Sequence, residues 1–433
     1  MNAKYLTRYA CALRTTLGSR QIIARGRDAG LCRRLRRVTP PRLVYALLEA
    51  LGGLRVRTIA DLLRTFNAQN DLAVRYKAFY NRLAHRAFPQ FMRQVYSEVL
   101  CKLSINMLRA AAGSRLEFFR DVVVQDGSSF AVHDGLATVY GGRFTKIRPA
   151  AVELHTFISV FQDRVLRTEL AADKEPERAF LPAPESLMGK LLLIDRGYQD
   201  LAYWEKLTTA GGFFIARGKC DLDPTVRKAW VKGRRTARWE GYRLQDLLRW
   251  LPRRRLDLMV QWPRPEGRSL RLRMVLIWNP ANKQFTTLVT NVTRRILTAR
   301  QVADVYRLRW QIELIFKEWK SFANLHEFTS ANPALVEGLI WASLAAAALK
   351  RSLAHACQRT HEGVAVSTQI AAMCGMHILR DVLRCARNHF RNLLRVLDHV
   401  FRYLCNNATR AHPERDRVKG RLRAGLAYVG ARA

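Results

Sequence analysis

No two of the eight cysteines (Cys11, Cys32, Cys101, Cys220, Cys357, Cys374, Cys385 and Cys405) form a C-x-x-C pair. In a chain this size they are expected to be reduced, mostly buried thiols of a cytosolic protein, with no disulfide framework. Long apolar runs are scarce as well. The longest, Gly338 to Leu349, is too short for the roughly 20 residues that cross a bilayer core. The opening MNAKYLTRYACALRTTLGSR lacks the unbroken apolar core of a signal peptide, so neither secretion nor membrane spanning is expected. No self-similar period of about 20 to 50 residues suggests a solenoid or propeller. Phosphate loops are missing too: Gly212 to Lys219 (GFFIARGK) has the wrong spacing for a Walker loop and is followed by Cys220, so no nucleotide cofactor is expected. Ser128 and Ser129 lack the G-x-S-x-G elbow of a serine hydrolase.

Acid is the other shortage. Asp and Glu total 35 against 74 Lys and Arg, a formal net charge of +39. Such an excess repels itself unless a polyanion is the usual neighbour, which makes nucleic acid the leading partner. About four-fifths of the cations are Arg, whose planar fork grips phosphate bidentately, although a GC-rich genome also raises arginine.

What is present is a 433-residue chain, 49% hydrophobic, long enough for about three domains. Its pattern divides into a helical region at 1–115, a mixed α/β core at 116–217, a β-rich insertion at 218–295, a helical continuation of the core at 296–355 and a basic helical region at 356–433. A basic cluster (Arg25, Arg27, Arg33, Arg34, Arg36, Arg37) fits either a phosphate-binding arm or a solvated face. Thr39-Pro40-Pro41 opens a helix that Gly52-Gly53 stops. Thr58-x-x-Asp61 caps a second, Asn67 to Asn70 turns, and Leu72 to Leu83 resumes with Arg75, Lys77, Asn81 and Arg82 beside Tyr76, Phe79 and Tyr80. This reads as helix-turn-helix or as an ordinary helical hairpin with a basic face.

From residue 116 the period changes. Val122 to Val124 is β-branched, Val152, Leu154, Thr156, Ile158 and Val160 alternate, and Leu191 to Ile194 leads into Asp195-Arg196-Gly197-Tyr198, then a helix and a strand through Phe213 to Ile215. Further strands are expected near Leu256 to Trp262, Leu270 to Trp278 and Thr286 to Val292. A basic amphipathic helix is expected from about Ile378 to Leu404. Cys374, His377, Cys385 and His389 have zinc-ligand chemistry, but on one helix their ends lie about 22 Å apart, too far to share an ion.

Three acids stand out. Asp126 follows the Val122 to Val124 strand with Gly127 beside it, a place for a ligand or a plain Asp-Gly turn. Asp195 caps its strand where α/β sheets place ligands. Glu313 lies in a helix opened by the Thr298-x-x-Gln301 capping box. Taken as one continuous helix at 100° per residue, that segment buries Val305, Leu308, Ile312, Ile315, Phe316 and Trp319. Arg307, Gln311 and Glu318 then face water. Arg309, Lys320, Glu313, Tyr306 and Lys317 form a stripe bordering the core, either a solvated flank or a carboxylate set among phosphate-binding cations.

The spacing Tyr306-x-x-Arg309-x-x-x-Glu313-x-x-x-x-x-x-Lys320, within YRLRWQIELIFKEWK, resembles the Y-R-E-K signature of bacterial insertion-sequence DDE transposases of the insertion-sequence-four family. Trp310, Ile312, Phe316 and Lys317 stand in that signature's usual context. Asp126-Gly127-Ser128 looks like the family's first catalytic Asp, and Asp195-Arg196-Gly197-Tyr198 like its second motif. The resemblance covers about residues 118 to 325. It implies an α/β, RNase H-like mixed-sheet catalytic core with a β-rich insertion, flanked by helical N- and C-terminal regions. Asp126, Asp195 and Glu313 would hold two Mg²⁺ (or Mn²⁺) ions and catalyse cleavage of transposon ends and their joining to target DNA. Tyr306, Arg309 and Lys320, with Lys317, Trp310 and Arg196 alongside, would hold the DNA. Duplex DNA as partner, a homodimer on it and a bacterial cytoplasmic, nucleoid-associated location follow from the same likeness. A catalytically inactive DNA-binding derivative of a transposase is the alternative.

Overall fold

The computed structural model describes residues 2–53, 56–103, 108–265, 268–322, 324–325, 328–361, 363–388, 390–410 and 424–428. Six helices come first: α1 (Ala3–Leu17), α2 (Ser19–Asp28), α3 (Pro40–Gly53), α4 (Ile59–Asn70), α5 (Tyr76–Leu83) and α6 (Phe88–Lys102). α3 starts and stops at the prolines and glycines that the sequence places there. At α4 the capping box is made in full, with Thr58 and Asp61 bonding each other's backbone N–H groups. Asp71 turns the chain in the left-handed region (φ 49°), and α5 begins at Tyr76, later than the expected Leu72. The basic cluster is divided: Arg25 pairs with Glu98 at 2.8 Å, while Arg33, Arg34, Arg36 and Arg37 are exposed.

The strands follow as β1 (Leu108–Ala110), β2 (Val122–Ala131), β3 (Ala151–Ser159), β4 (Arg164–Ala172) and β5 (Leu191–Ile194), then α7 (Leu201–Thr209) and β6 (Phe213–Arg217). Next come β7 (Thr225–Val231), β8 (Arg234–Thr236), the short α8 (Leu244–Leu247), β9 (Leu256–Pro263), β10 (Ser269–Asn279) and β11 (Gln284–Thr290). Ten of these strands make one sheet in the order β4-β3-β2-β5-β6-β11-β10-β9-β7-β8. β5 runs parallel to β2 and to β6, and the other pairs are antiparallel. This large mixed sheet between helical flanks is the α/β, RNase H-like architecture that the sequence implies.

The pleat explains why β5 is apolar at every position. Leu191 and Leu193 pack into the core shared with the flanking helices, while Leu192 and Ile194 join Trp204 of α7 on the other face. Within residues 218–295, Arg273 is buried and grips Asp257 with two bonds (2.8 and 3.0 Å). It also donates to the carbonyls of Val292 and Leu297. That pair fixes the chain where it leaves the sheet for α9 (Ala299–Tyr306), itself opened by the Thr298/Gln301 capping box.

α9 does not continue as one helix. Arg307 to Arg309 form a 3₁₀ turn, and α10 (Trp310–Phe322) resumes after it. Three residues at about 120° instead of 100° advance the later side chains by about 60°. This corrects one expectation: Glu318 is buried at 2% exposure, bonded to Arg351, and does not face water. The expected core residues Val305, Leu308, Ile312, Ile315, Phe316 and Trp319 are all buried.

The chain ends in α11 (Pro333–Thr360), α12 (Thr368–Met373), α13 (Gly375–Asn388), α14 (Phe390–Asn407) and β12 (Leu426–Tyr428), which pairs with β1. The basic amphipathic segment is therefore two helices, α13 and α14, where one was expected. Of the rejected zinc set, His389 lies outside the described residues. α11 is long and apolar enough to cross a membrane by length and composition, yet 78% of its most apolar stretch is buried within the protein, against α3 and α6.

Candidate active site

Asp126 is not at a strand end and not in a turn. It sits within β2, cross-strand from Thr156 of β3. The turn reading fails because the ladder with β3 continues to Ala131. On its other side, however, the parallel partner β5 stops at Ile194, which faces Gln125. Asp126 and Asp195 are thus the first residues past the last pair of one parallel ladder, side by side, where no strand covers them. With the period of two, Asp126 shares its face with Val122 and Val124, the face on which α10 lies.

Glu313, in the first turn of α10, completes the group through Arg309. One guanidinium nitrogen donates to Asp126 Oδ2 at 2.7 Å and the other to Glu313 Oε1 at 2.6 Å. Tyr306 donates to Asp195 Oδ1 (3.4 Å) and lies as close to the Ile194 carbonyl (3.3 Å). Three carboxylates far apart in the sequence therefore meet around one cation and one phenol. Burial, with Asp195 and Glu313 as like-charged neighbours, pushes the Asp126 carboxyl up to about 7 against the opposing pull of Arg309. Burial also raises the Tyr306 hydroxyl, keeping it a neutral donor.

The remaining expected site residues are placed less centrally. Lys320 is half-buried, and desolvation and nearby Arg148 lower its pKa while Glu153 opposes them. Trp310 (59% exposed), Lys317 and Arg196 are open to solvent.

The structure adds neighbours that the sequence did not single out. Arg217, the last residue of β6, comes within 3.9 Å of Asp195. Behind Asp126, on the opposite face of the β2–β3 pair, lie Glu153 and His155 of β3. Glu153 is pushed up to about 7 by burial and by Glu177, and His155 down to about 4 by burial and Arg143. His155 stacks on Phe180 (3.7 Å between centroids), with the Tyr198 hydroxyl 3.2 Å from its Nδ1. The glycines beside both aspartates make room for this layer. A Cβ on Gly127 would stand 2.2 Å from Glu153 Oε1, and one on Gly197 1.7 Å from Glu177 Oε2. Gly127 therefore accommodates a carboxylate of the protein itself, not the ligand suggested by its sequence context. An acid and a histidine at alternate positions of an apolar strand were the available signal, hidden because the alternation read as simple sheet.

A cavity of about 690 Å³ lies elsewhere, among Trp230, Lys232, Arg253, Arg255, Arg294 and Arg300. The carboxylates do not line it; the Asp126 side chain is largely buried, while those of Asp195 and Glu313 are partly exposed.

Comparison with known proteins finds related sequences. Residues 117–349 match the family described as transposase DDE domain. Among relatives, the transposase for insertion sequence element IS231B of Bacillus thuringiensis subsp. berliner is 23% identical over 298 residues, 59% of this chain and 61% of its own length. The transposase for IS1151 of Clostridium perfringens is 21% identical over 273 residues, 55% and 58% of the two chains. A shorter stretch of 62 residues is 47% identical to the putative transposase InsL for IS186A of Escherichia coli (strain K12), covering 14% and 17%. The chain thus spans about three-fifths of the length of the first two. Because the matched region exceeds half of the chain and contains Asp126, Asp195 and Glu313, the chain belongs to the transposase DDE domain family.

Proposed function

We propose that the protein is a DNA transposase of the Y-R-E-K type, in the insertion-sequence-four family, that cleaves transposon ends and joins them to target DNA. The convergence of Asp126 and Glu313 on Arg309, with Asp195 beside them on Tyr306, carries this reading. The donors are hard carboxylate oxygens, and burial together with the charges of Asp195 and Glu313 already raises Asp126, so the trio fits Mg²⁺ or Mn²⁺, two ions by the resemblance. Bound there, divalent ions would activate an attacking water or DNA 3′ hydroxyl and stabilise the departing oxygen at the phosphorus.

The protein's own groups supply positioning. Arg309 has a buried Nε without a hydrogen-bond partner, a donor available to a phosphate oxygen once the carboxylates engage cations. Tyr306 orients Asp195, and Lys320 extends the cationic surface along α10. Lys317, Trp310 and Arg196 are exposed where a duplex would pass. The basic cavity on the sheet and a second one of about 430 Å³ near α4, lined by Arg64, Arg380, Arg384 and Arg387, suit backbone phosphates farther along the DNA. We assign DNA binding to 1–115 (helix-turn-helix-like) and 356–433, catalysis to 116–217 and 296–355, and the insertion to 218–295. The protein acts as a homodimer on its two ends, at the bacterial nucleoid.

The test is incubation of the purified protein with duplex carrying the inverted repeats that flank its gene, with and without Mg²⁺. Metal-dependent nicking at the repeat boundary supports the reading. Specific binding without nicking in either Mg²⁺ or Mn²⁺ would identify an inactive derivative.

A further inference from the structure

Away from the carboxylates, the C-terminal end of α11 meets α14 beside α1. The backbone N–H of Asn2 bonds the Thr360 carbonyl (2.8 Å), and Tyr9 of α1 packs on Phe401 of α14 (6.2 Å between centroids). At this junction Cys357 lies in the last turn of α11, His361 caps that helix with its backbone N–H on the Cys357 carbonyl (2.9 Å), and Cys405 comes from α14. One ligand atom from each of the three lies within 4.8 Å of the others. The two sulfurs are 3.5 Å apart. Nδ1 of His361 is buried without a hydrogen-bond partner, although the ring packs edge-on against Phe401.

A tetrahedral zinc with bonds near 2.3 Å to sulfur and 2.0–2.1 Å to nitrogen separates its ligand atoms by about 3.5 to 3.8 Å. The three side chains already approach that spacing before any rearrangement. An isolated hydrophobic contact would not explain a buried, unpartnered imidazole nitrogen beside two thiols. We infer that Cys357, His361 and Cys405 form a three-ligand site for a borderline-soft divalent ion, Zn²⁺, which pins α14 to the end of α11. Cys357 is buried while His361 and Cys405 are half-buried, so solvent reaches the site to take the fourth position. Binding replaces two S–H protons, released to buffer, by two Zn–S bonds and leaves the imidazole neutral. The soft thiolates separate this site from the all-oxygen donors at Asp126, Asp195 and Glu313.

The full-length protein, fully reduced and stripped of metal, is titrated with Co²⁺ as a spectroscopic probe and with Zn²⁺ as competitor. The expected result is a thiolate-to-cobalt charge-transfer band saturating at one equivalent and abolished by Zn²⁺. Zn²⁺ should also raise the midpoint of thermal unfolding. Cys405→Ser and His361→Gln, checked for native circular dichroism, should each weaken Zn²⁺ binding by more than about 100-fold, beyond the usual effect of an outer-shell change. Both lie at half-buried positions, so the result does not depend on the buried Cys357→Ser folding. Cobalt bound without a thiolate band would place it at the carboxylates and overturn the inference. So would unchanged affinity in His361→Gln, or no uptake of either metal by the reduced protein.

Discussion

Arg309 holds Asp126 at 2.7 Å although 183 residues separate them in the chain. The same guanidinium, at the end of the 3₁₀ turn, holds Glu313 four residues on in the first turn of α10. Removing either carboxylate therefore affects both the local charge and the position of the arginine, and the following expectations depend on that link.

Asp126→Asn, Asp195→Asn and Glu313→Gln should each lower Mg²⁺-dependent end cleavage by more than about 100-fold while leaving binding to end DNA within a few-fold, because most phosphate contacts lie elsewhere. Asp134→Asn, outside the trio, is the matched control. Gel assays of nicking and binding on the same preparations check this, and near-wild-type nicking by any of the three removes that residue from the site.

Arg309→Ala should weaken end-DNA binding and reduce the salt slope of log affinity by about one; Lys320→Ala should do the same with a smaller loss. Arg307→Ala is the control, since that side chain is 61% exposed and pairs with Asp304. Equal losses in all three variants at matched thermal stability would make the helix a scaffold only.

Acid retention at the site predicts a pH effect. Asp126 and Glu153 keep protons up to about 7 in the native state, whereas the unfolded chain releases them in the ordinary carboxylate range. Native protein binds the extra protons, so these two groups cost stability as pH rises through that window. His155, pushed down to about 4, works in the opposite sense below its ordinary value of 6.5. With two acids against one histidine, metal-free protein should unfold at a lower temperature at pH 8 than at pH 5. Mg²⁺ should raise the midpoint more at pH 8, where it meets ionised carboxylates. Calorimetry at the two pH values, with and without Mg²⁺, decides; a larger Mg²⁺ shift at pH 5 would contradict the assignment.

Glu318→Ala should destabilise by about 1–3 kcal/mol, because Arg351 loses one buried partner while keeping Asp163. Burial raises the Glu318 pKa, and Arg351 and Lys350 oppose that shift. Lys317→Ala on the exposed side should stay within about 0.5 kcal/mol. Denaturant melts of both variants measure the difference.

Local chemistry alone determined much of this protein. The capping boxes at Thr58 and Thr298, the Pro and Gly limits of α3 and the unbroken apolar run of β5 act over a few residues, so they are readable without neighbours. The Tyr306 to Lys320 spacing and the acids at Asp126 and Asp195 were legible for the same reason. Tertiary structure decided what those acids face. Only pairing with β5 shows that Asp126, inside a strand, lies just past a parallel ladder and beside Asp195. Only the 3₁₀ turn at Arg307–Arg309 rotates Glu318 into the interior, since a wheel assumes one constant angle per residue. The layer of Glu153, His155 and Glu177 behind Gly127 and Gly197 likewise depends on long-range packing, because a glycine's missing side chain gives no indication of which group will occupy the space beside it.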